Sequence, residues 1–323
     1  MQPGAHLWKC RGPSGGRTGY GNEAEGIDAA ISATLDALVG DVLASEHHLA
    51  EHGSDPVMQL PGFTVQGVLV AFLLALASRP PSRDRLHIFT TNYDRVVEWG
   101  LELAGLRIVD RFVGTLAPRF RSSRLDIDLH YNPPGLVGEP RALDGVVRLS
   151  KIHGSLDWRW DGTAVIRAPM AFGAQETPPP GAPMIFPNAA KDLDTAFYPY
   201  ADLLRDFSAA VCRPNSVLVT FGYGFGDGHI NRIVADMLAI PSTHLLAVSF
   251  DDVGGRIAAF ERAHHREGQI SVLTGSAFGS IATAVEQVLP RPAADQVLWR
   301  RARLLQDLHV PPASAGGEDH QSK

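Results

Sequence analysis

The last third of the sequence alternates short aliphatic runs with stretches of helical periodicity, and this alternation constrains the fold more than any other feature. The runs "SVLVTF", "THLLAVSF" and "QISVLT" are each followed by apolar residues at the three- and four-residue spacing of an amphipathic helix. An earlier strand at 86–90 and helix at 94–105 continue the scheme. Near-continuous aliphatic strands between helices are typical of a parallel sheet covered on both faces, so the sequence predicts an α/β fold.

The rest of the chain is more varied. We expect residues 1–25 to be an irregular N-terminal segment, because they are Gly-rich, polar and aperiodic. Further along, the patterns predict an amphipathic helix over 26–45, a polar linker over 46–62, a buried helix at 68–77, long insertions at about 114–145 and 168–195, a strand at 146–152, a hairpin around Asp161-Gly162, a helix at 196–212, and a disordered tail at 311–323.

Composition excludes several classes of function. The formal net charge is −6 and no Lys/Arg run occurs, so we expect no direct nucleic-acid binding. The apolar run at 68–77 is much shorter than the roughly 20 residues that span a bilayer, and no signal segment opens the chain. Cys10 and Cys212 are the only cysteines, too few for a four-cysteine zinc module. These observations favour a cytoplasmic protein with no membrane contact.

Three polar clusters each follow a predicted strand directly. They are "TTNYD" at 90–94, "HGS" at 153–155 and "GYGFGDGH" at 222–229. Ligands of open parallel sheets bind at the carboxyl ends of the strands, where the strand order reverses. The three clusters are therefore expected to meet in one crevice.

Each cluster has a functional interpretation and a structural one. Asn92 can hydrogen-bond a ribose or hold a water, and Asp94 can orient it; both residue types also favour turns and helix N-caps. As a residue type, histidine suits general-base work near neutral pH, and Gly154 leaves room for a substrate beside His153. The alternative is a hydrogen-bonded histidine that ends a buried strand.

The glycine-rich cluster matches neither G-x-G-x-x-G nor a Walker loop. Its backbone amides can approach a phosphate or a ribose, with Asp227 or His229 near the start of the next helix. Asp227 and His229 can also contact a metal ion. No third ligand is spaced to join them, so the sequence predicts no metal.

The segments "FTTNYDRVVE", "SKIHGSLDW" and "FGYGFGDGHIN", in this order, resemble the signature segments of the sirtuin-like domain of bacterial antiphage defence NAD hydrolases. The resemblance covers about residues 80–290. It implies a Rossmann-like sheet with a smaller helical lobe, here a domain at 26–310 with its lobe at about 26–80. It also implies that the domain binds NAD⁺ and hydrolyses it to nicotinamide and ADP-ribose, which depletes cellular NAD⁺ on infection (abortive infection).

The resemblance extends to individual residues. Asn92 matches the asparagine that contacts the nicotinamide ribose and the attacking water, and His153 matches the essential histidine. The loop near the phosphates and ribose is matched by Gly222, Tyr223 and Gly224. Also expected in the NAD⁺ site are Thr91, Asp94, Gly154, Ser155, Phe225 and Asp227.

Two departures from the family keep other functions open. The four cysteines of protein-deacylating sirtuins are missing, which disfavours an NAD-dependent deacylase and leaves an ADP-ribosyltransferase as an alternative. Residues 1–25 contain no strand that leads into a Gly-Ala-Gly-x-Ser loop. Either the chain begins after this strand or this member lacks it, and we expect a gap or an exposed edge in the sheet.

Without the phosphate-binding amides of that loop, the chain is alternatively a non-catalytic subunit that binds NAD⁺ or ADP-ribose in a defence complex. The resemblance also implies regulation by homo-oligomerisation, by a partner defence protein such as an ATPase, or by both.

Overall fold

The computed structural model describes residues 21–58, 60–78, 84–123, 127–132, 141–175, 198–264 and 268–291. The expectations for residues 1–20, for most of the 168–195 insertion and for the 311–323 tail lie outside these residues. Within them, no helix combines the length and apolar character that a membrane span requires.

The described residues contain two helices at the start, a run of short strands in the middle, and alternating strands and helices in the last third. The helices are α1 (Gly21–His52), α2 (Val65–Ala77), α3 (Val96–Leu103), α4 (Tyr200–Val211), α5 (Gly228–Leu238), α6 (Arg256–Ala263), α7 (Ser276–Gly279) and α8 (Ile281–Thr283), with a π-helical turn at Ala284–Val288. The strands are β1 (Leu86–Thr90), β2 (Arg107–Val109), β3 (Phe112–Val113), β4 (Arg119–Phe120), β5 (His130–Tyr131), β6 (Arg141–Ala142), β7 (Val146–Lys151), β8 (Trp158–Trp160), β9 (Val165–Arg167), β10 (Val217–Phe221), β11 (His244–Ser249) and β12 (Ile270–Thr274).

Six of the strands form two parallel sheets of three strands each. In the first sheet β7 lies between β1 and β2, and in the second β11 lies between β10 and β12. The α/β class with parallel strands and flanking helices is thereby confirmed. Within the described part of the chain, no hydrogen-bonded ladder joins the two sheets, so β1 and β10 are both edge strands.

Two helices contact both sheets. Helix α2 packs on Leu86 and Ile88 of β1, and its Phe72 ring lies 5.1 Å from that of Phe221 in β10. Helix α4 contacts the other face of β1, where the rings of Phe89 and Phe207 are 5.0 Å apart, and shares a core with the second sheet. Successive residues of a strand point to opposite faces, so α2 and α4 cover opposite faces of β1.

The predicted hairpin is confirmed as β8 and β9, which pair in an antiparallel sheet with β3 and β4. Asp161 forms the turn: its Oδ1 accepts hydrogen bonds from the backbone N–H groups of Thr163 and Ala164, both at 2.9 Å. Gly162 follows with φ of +97°, a conformation that favours glycine. The predicted insertion at 114–145 contains the short strands β4, β5 and β6.

The first helix differs most from the sequence prediction. Helix α1 begins at Gly21 and ends at His52, whereas the predicted helix covered 26–45. Residues 21–25 are therefore not irregular, and the first part of the predicted 46–62 linker is helical. Ala, Glu and Leu are frequent in these extensions and favour helix without an apolar repeat, so periodicity alone underestimates the helix. The predicted 196–212 helix begins at Tyr200, directly after Pro199, because proline suits a helix start better than its interior.

A pH-dependent stability is expected from His87 in β1. Burial, together with the positive charges of Arg148, Arg213 and Arg111, lowers the pKa of His87 to about 3. Between pH 3 and 6.5 the unfolded chain therefore binds a proton that the folded chain does not, and stability falls as the pH is lowered. We expect wild type to lose about 2–3 kcal/mol more unfolding free energy than His87→Gln between pH 6.5 and 4.5.

Glutamine is the matched replacement because it can keep the hydrogen bond that the His87 ring shares with the Ser150 hydroxyl, 2.9 Å away. Urea unfolding at a series of pH values measures the difference. Equal slopes for the two proteins over this range would contradict the prediction.

Candidate active site

The first two polar clusters are joined at the ends of β1 and β7. These strands pair in parallel up to Thr90 and Lys151, and the Ile152 amide donates to the Thr90 carbonyl at 2.8 Å. The carbonyl of Tyr93 then accepts from the Leu156 amide at 3.1 Å and from the Ser155 hydroxyl at 3.4 Å. Residues 90–94 and 153–155 consequently form one continuous edge at the carboxyl ends of the strands.

The third cluster is a loop fixed by its own side chains between β10 and α5. The Gly222 amide donates to the Val248 carbonyl of β11 at 2.9 Å, with φ of +66° at Gly222. The Tyr223 hydroxyl donates to Asn231 Oδ1 at 2.8 Å, and Nδ2 of the same asparagine side chain donates to the Phe225 carbonyl at 2.9 Å. Phe225 itself is buried in the core of the second sheet. The loop is therefore a defined structure that presents Asp227 at the start of α5.

The clusters of the two sheets meet at a pair of histidines. His153, just beyond β7, and His229, in the first turn of α5, place their Nε2 atoms 3.1 Å apart, and both side chains are buried. Asp227 lies beside them, and one ligand atom from each of the three residues falls within 4.8 Å of the others. Burial and the negative charge of Asp227 raise the pKa of Tyr93 to about 12, so the first cluster also borders this point.

The distance between the two imidazoles defines what the pair can do. Two nitrogen lone pairs repel each other at 3.1 Å unless a proton or a cation lies between them. One histidine therefore donates and the other accepts when a single proton is shared. Such a contact orients both rings and fixes their tautomers, as required of a general base and its supporting residue.

Several predicted site residues make structural contacts. The Asp94 carboxylate accepts from the Val96 amide at 3.1 Å, so Asp94 acts as a turn residue at the start of α3. The Ser155 side chain is fully buried and donates to Tyr93, and Phe225 belongs to the core. Burial and nearby Asp227 raise the pKa of Tyr223, which keeps its hydroxyl protonated as a donor to the loop. These residues support the shape of the site.

The other predicted residues lie at the strand ends or in the glycine-rich loop. Asn92 is exposed, and its backbone amide donates to the Thr90 hydroxyl at 3.1 Å, while Thr91 is half-buried beside it. Gly154 has φ of +91°, which lets the chain turn sharply after His153. Gly222 is exposed at the start of the loop, and Gly224 lies half-buried within it.

Sequence reasoning missed an arginine on the glycine-rich loop. A Cβ atom on Gly224 would lie 3.3 Å from Nη2 of Arg256, and one on Gly226 would lie 3.1 Å from Nη1. The exposed guanidinium thus lies directly against the loop backbone, and a Cβ atom at either position would crowd it. Arginine is well suited to phosphate recognition. The sequence feature that could have identified Arg256 is the polar segment "DDVGGR", which follows β11 as the other clusters follow their strands.

The contact of His153 with His229 was also missed. The two residues are 76 positions apart, so no local spacing connects them. The expectation that the metal pair Asp227 and His229 lacks a third ligand is corrected by the structure, because His153 supplies a ligand atom from the other sheet.

Comparison with known proteins gives one result for this region. A family model described as a SIR2-like domain matches residues 86–269, which is more than half of the chain and contains all three polar clusters. No curated protein matches the chain.

Proposed function

The chain belongs to the SIR2-like domain family, and from this premise we propose that it hydrolyses NAD⁺ to nicotinamide and ADP-ribose. The observation that carries the proposal is the buried pair of His153 and His229 beside Asp227, where the clusters of both sheets meet. NAD-related chemistry is what the family suggests in general. Hydrolysis of NAD⁺ is one specific reaction within this chemistry, and we propose it for this chain from the residues of the site.

The site offers what cleavage of the glycosidic bond needs. As the bond between C1′ of the ribose and the nicotinamide nitrogen breaks, the ribose acquires oxocarbenium character and nicotinamide leaves as a neutral molecule. A water oxygen then bonds to C1′, and His153 accepts the proton that this water loses. The Asp227 carboxylate places negative charge near the developing cation. Asn92 is the polar group assigned to the ribose and the water.

The adenosine diphosphate part of NAD⁺ is assigned to the glycine-rich loop. The loop carries glycines whose backbone is open to close approach, and the Arg256 guanidinium lies across it. A guanidinium can bind phosphate oxygens through two parallel hydrogen bonds. We therefore place the pyrophosphate at Gly222, Gly224 and Arg256, with the nicotinamide ribose toward His153.

The biological role follows from the resemblance of the three segments to defence NAD hydrolases. We propose that NAD⁺ depletion by this chain aborts phage infection in the cytoplasm. Regulation is proposed to come from homo-oligomerisation, a partner defence protein such as an ATPase, or both.

A second function, NAD⁺ or ADP-ribose binding without catalysis, is favoured by one observation. Within the described residues, β1 and β10 each have an unpaired edge, and no Gly-Ala-Gly-x-Ser loop adds its amides beside them. A site short of phosphate-binding amides can hold the ligand without the alignment that hydrolysis requires.

One experiment separates the two functions. The purified chain is incubated with NAD⁺, nicotinamide release is followed by chromatography, and ADP-ribose binding is measured by calorimetry. We expect turnover by wild type and at least about 100-fold slower turnover by Asn92→Ala, because a polar group at the reacting ribose acts mainly in the transition state. Asn132→Ala, an exposed asparagine next to β5, is the matched control and should behave as wild type.

The outcomes are distinct. Tight ADP-ribose binding without nicotinamide release by wild type would overturn hydrolysis and support the binding subunit. Nicotinamide release that depends on an added acetyl-lysine peptide would indicate a deacylase instead.

A further inference from the structure

We propose that His153, His229 and Asp227 form a Zn²⁺ site, and that zinc bound there blocks the hydrolysis of NAD⁺. The second half of this statement rests on the proposed function, whereas the first half does not. The starting observation is that these side chains, from the ends of two different sheets, bring three ligand atoms within 4.8 Å of one another. The buried Nε2 atoms of the two histidines are already only 3.1 Å apart.

The spacing agrees with a tetrahedral metal centre. Zinc binds imidazole nitrogen at about 2.0–2.1 Å, so two tetrahedral histidine ligands have nitrogens about 3.3 Å apart. The observed 3.1 Å between the Nε2 atoms is close to this value. A zinc ion would also remove the repulsion between facing lone pairs, as a shared proton does.

The third ligand can complete the set by a small rotation. Asp227 is the residue before α5, its side chain makes no capping hydrogen bond to that helix, and it is half-buried. Its carboxylate lies within 4.8 Å of the imidazole ligand atoms, so a shift of at most about 1.5 Å reaches the ligand spacing of a tetrahedral site. The backbone on either side is glycine, at Gly226 and Gly228, which permits this adjustment.

The donor set selects the class of metal. Two imidazoles and one carboxylate suit Zn²⁺ and other late first-row ions, whereas Mg²⁺ and Ca²⁺ prefer oxygen ligands alone. Three protein ligands leave the fourth tetrahedral position for water. Among the late first-row ions, Zn²⁺ does not change its oxidation state and readily forms four-coordinate tetrahedral sites. We therefore propose the site for Zn²⁺.

Binding has a direct chemical consequence. When Nε2 of a neutral imidazole coordinates a metal, the ring proton is on Nδ1, so neither nitrogen has a lone pair that can accept a proton from water. The proposed base, His153, is therefore withdrawn from the reaction as long as zinc is bound. Removing zinc with a chelator restores the imidazole and, with it, hydrolysis.

Zinc binding is tested by direct titration. Chelator-treated protein competes with a chromogenic chelator for Zn²⁺, and Co²⁺ is added separately to record the visible bands of a tetrahedral site. We expect one tight site per wild-type chain, and at least about 100-fold weaker binding by His229→Gln and by Asp227→Asn, since each removes a ligand. The Co²⁺ bands should disappear in both variants.

The matched control tests whether an exposed pair of histidines, outside the proposed site, binds the zinc instead. His48 and His52 lie one turn apart on α1, are exposed, and have ring centroids 4.4 Å apart, so they can bind zinc on their own. His48→Gln should keep the tight site and its Co²⁺ spectrum. Loss of tight binding in His48→Gln, or its retention in His229→Gln and Asp227→Asn, would overturn the proposal.

Inhibition by zinc is tested by measuring the rate of nicotinamide release at increasing Zn²⁺ concentrations. Half-inhibition should occur at the free zinc concentration that half-fills the site, and excess chelator should reverse it. Turnover that continues with the site filled would overturn inhibition. A chain that binds zinc but never releases nicotinamide would instead disprove the proposed hydrolase and leave the metal site standing.

Discussion

Alanine in place of His153 is expected to slow nicotinamide release by about 100-fold to 10,000-fold, the range that a positioned general base contributes. The loss should appear in kcat, because the imidazole acts on the water proton in the transition state. ADP-ribose binding should change little, since the phosphate-binding residues lie on the glycine-rich loop. Rapid-quench or steady-state measurement of nicotinamide, together with calorimetry, gives both quantities.

The control for this substitution is a histidine outside the site. His130 is exposed on β5, and His130→Ala should retain wild-type turnover. Circular dichroism and unfolding midpoints establish whether His153→Ala is folded. Equal kcat values for folded His153→Ala and wild type would remove the role assigned to His153.

Substitution of His229 is expected to affect the same reaction through its contact with His153. Because the two Nε2 atoms share a hydrogen bond, His229 is a positioning residue that holds the His153 ring and its tautomer. His229→Gln should shift the pH profile of kcat as well as lower the rate, since glutamine can orient the ring but cannot titrate. In the double variant, the effects of His153→Ala and His229→Gln should not add, because the second residue acts through the first.

The sequence predicts the elements of this fold better than their contacts. Aliphatic strands and the Asp161-Gly162 turn were predictable because their signals lie within a few residues. The meeting of His153 with His229 was not, because it depends on how two separate sheets are placed by α2 and α4. The rule that polar residues gather at the carboxyl ends of parallel strands identified the neighbourhood, although not the pair itself.

Glu46 shows a different reason for failure. A polar pattern marks a glutamate as exposed, and the sequence placed Glu46 in a polar linker. In the structure its side chain is fully buried, and its partner, Arg95, lies 49 residues away. A charged side chain is stable in the interior only when an opposite charge and hydrogen-bond donors or acceptors surround it. A single sequence does not reveal such partners when they are this distant along the chain.

Replacing Glu46 by alanine is therefore expected to destabilise the protein by about 3–5 kcal/mol, because it leaves a buried guanidinium without its counter-charge. The Glu46 carboxylate accepts from the Arg95 backbone amide at 2.6 Å and from its Nη2 at 2.5 Å. Arg95 also donates to the carbonyls of Met170 and Ala171, at 2.7 Å and 3.0 Å. Denaturant unfolding, extrapolated to water, measures the change.

Glu51→Ala, on the same helix, is the matched control. Glu51 is exposed and pairs with His47 at 3.2 Å, and such surface pairs contribute less than about 1 kcal/mol. Replacement of both buried partners, Glu46→Leu with Arg95→Met, should recover part of the loss by removing the unpaired charge. Equal destabilisation by Glu46→Ala and Glu51→Ala would show that the buried pair does not carry the stability assigned to it.

Glu46→Ala should also loosen the candidate active site. Arg95 follows Asn92 by three residues, and its contact with Glu46 holds the end of the first polar cluster in place. Loss of the carboxylate releases the Arg95 amide at the start of α3 as well as its guanidinium. We expect faster hydrogen exchange at residues 91–96 in Glu46→Ala, with the glycine-rich loop unchanged. Exchange that rises equally in both segments would indicate global loosening, whereas a rise confined to 91–96 would show that helix α1 holds the Asn92 loop in place through one buried ion pair.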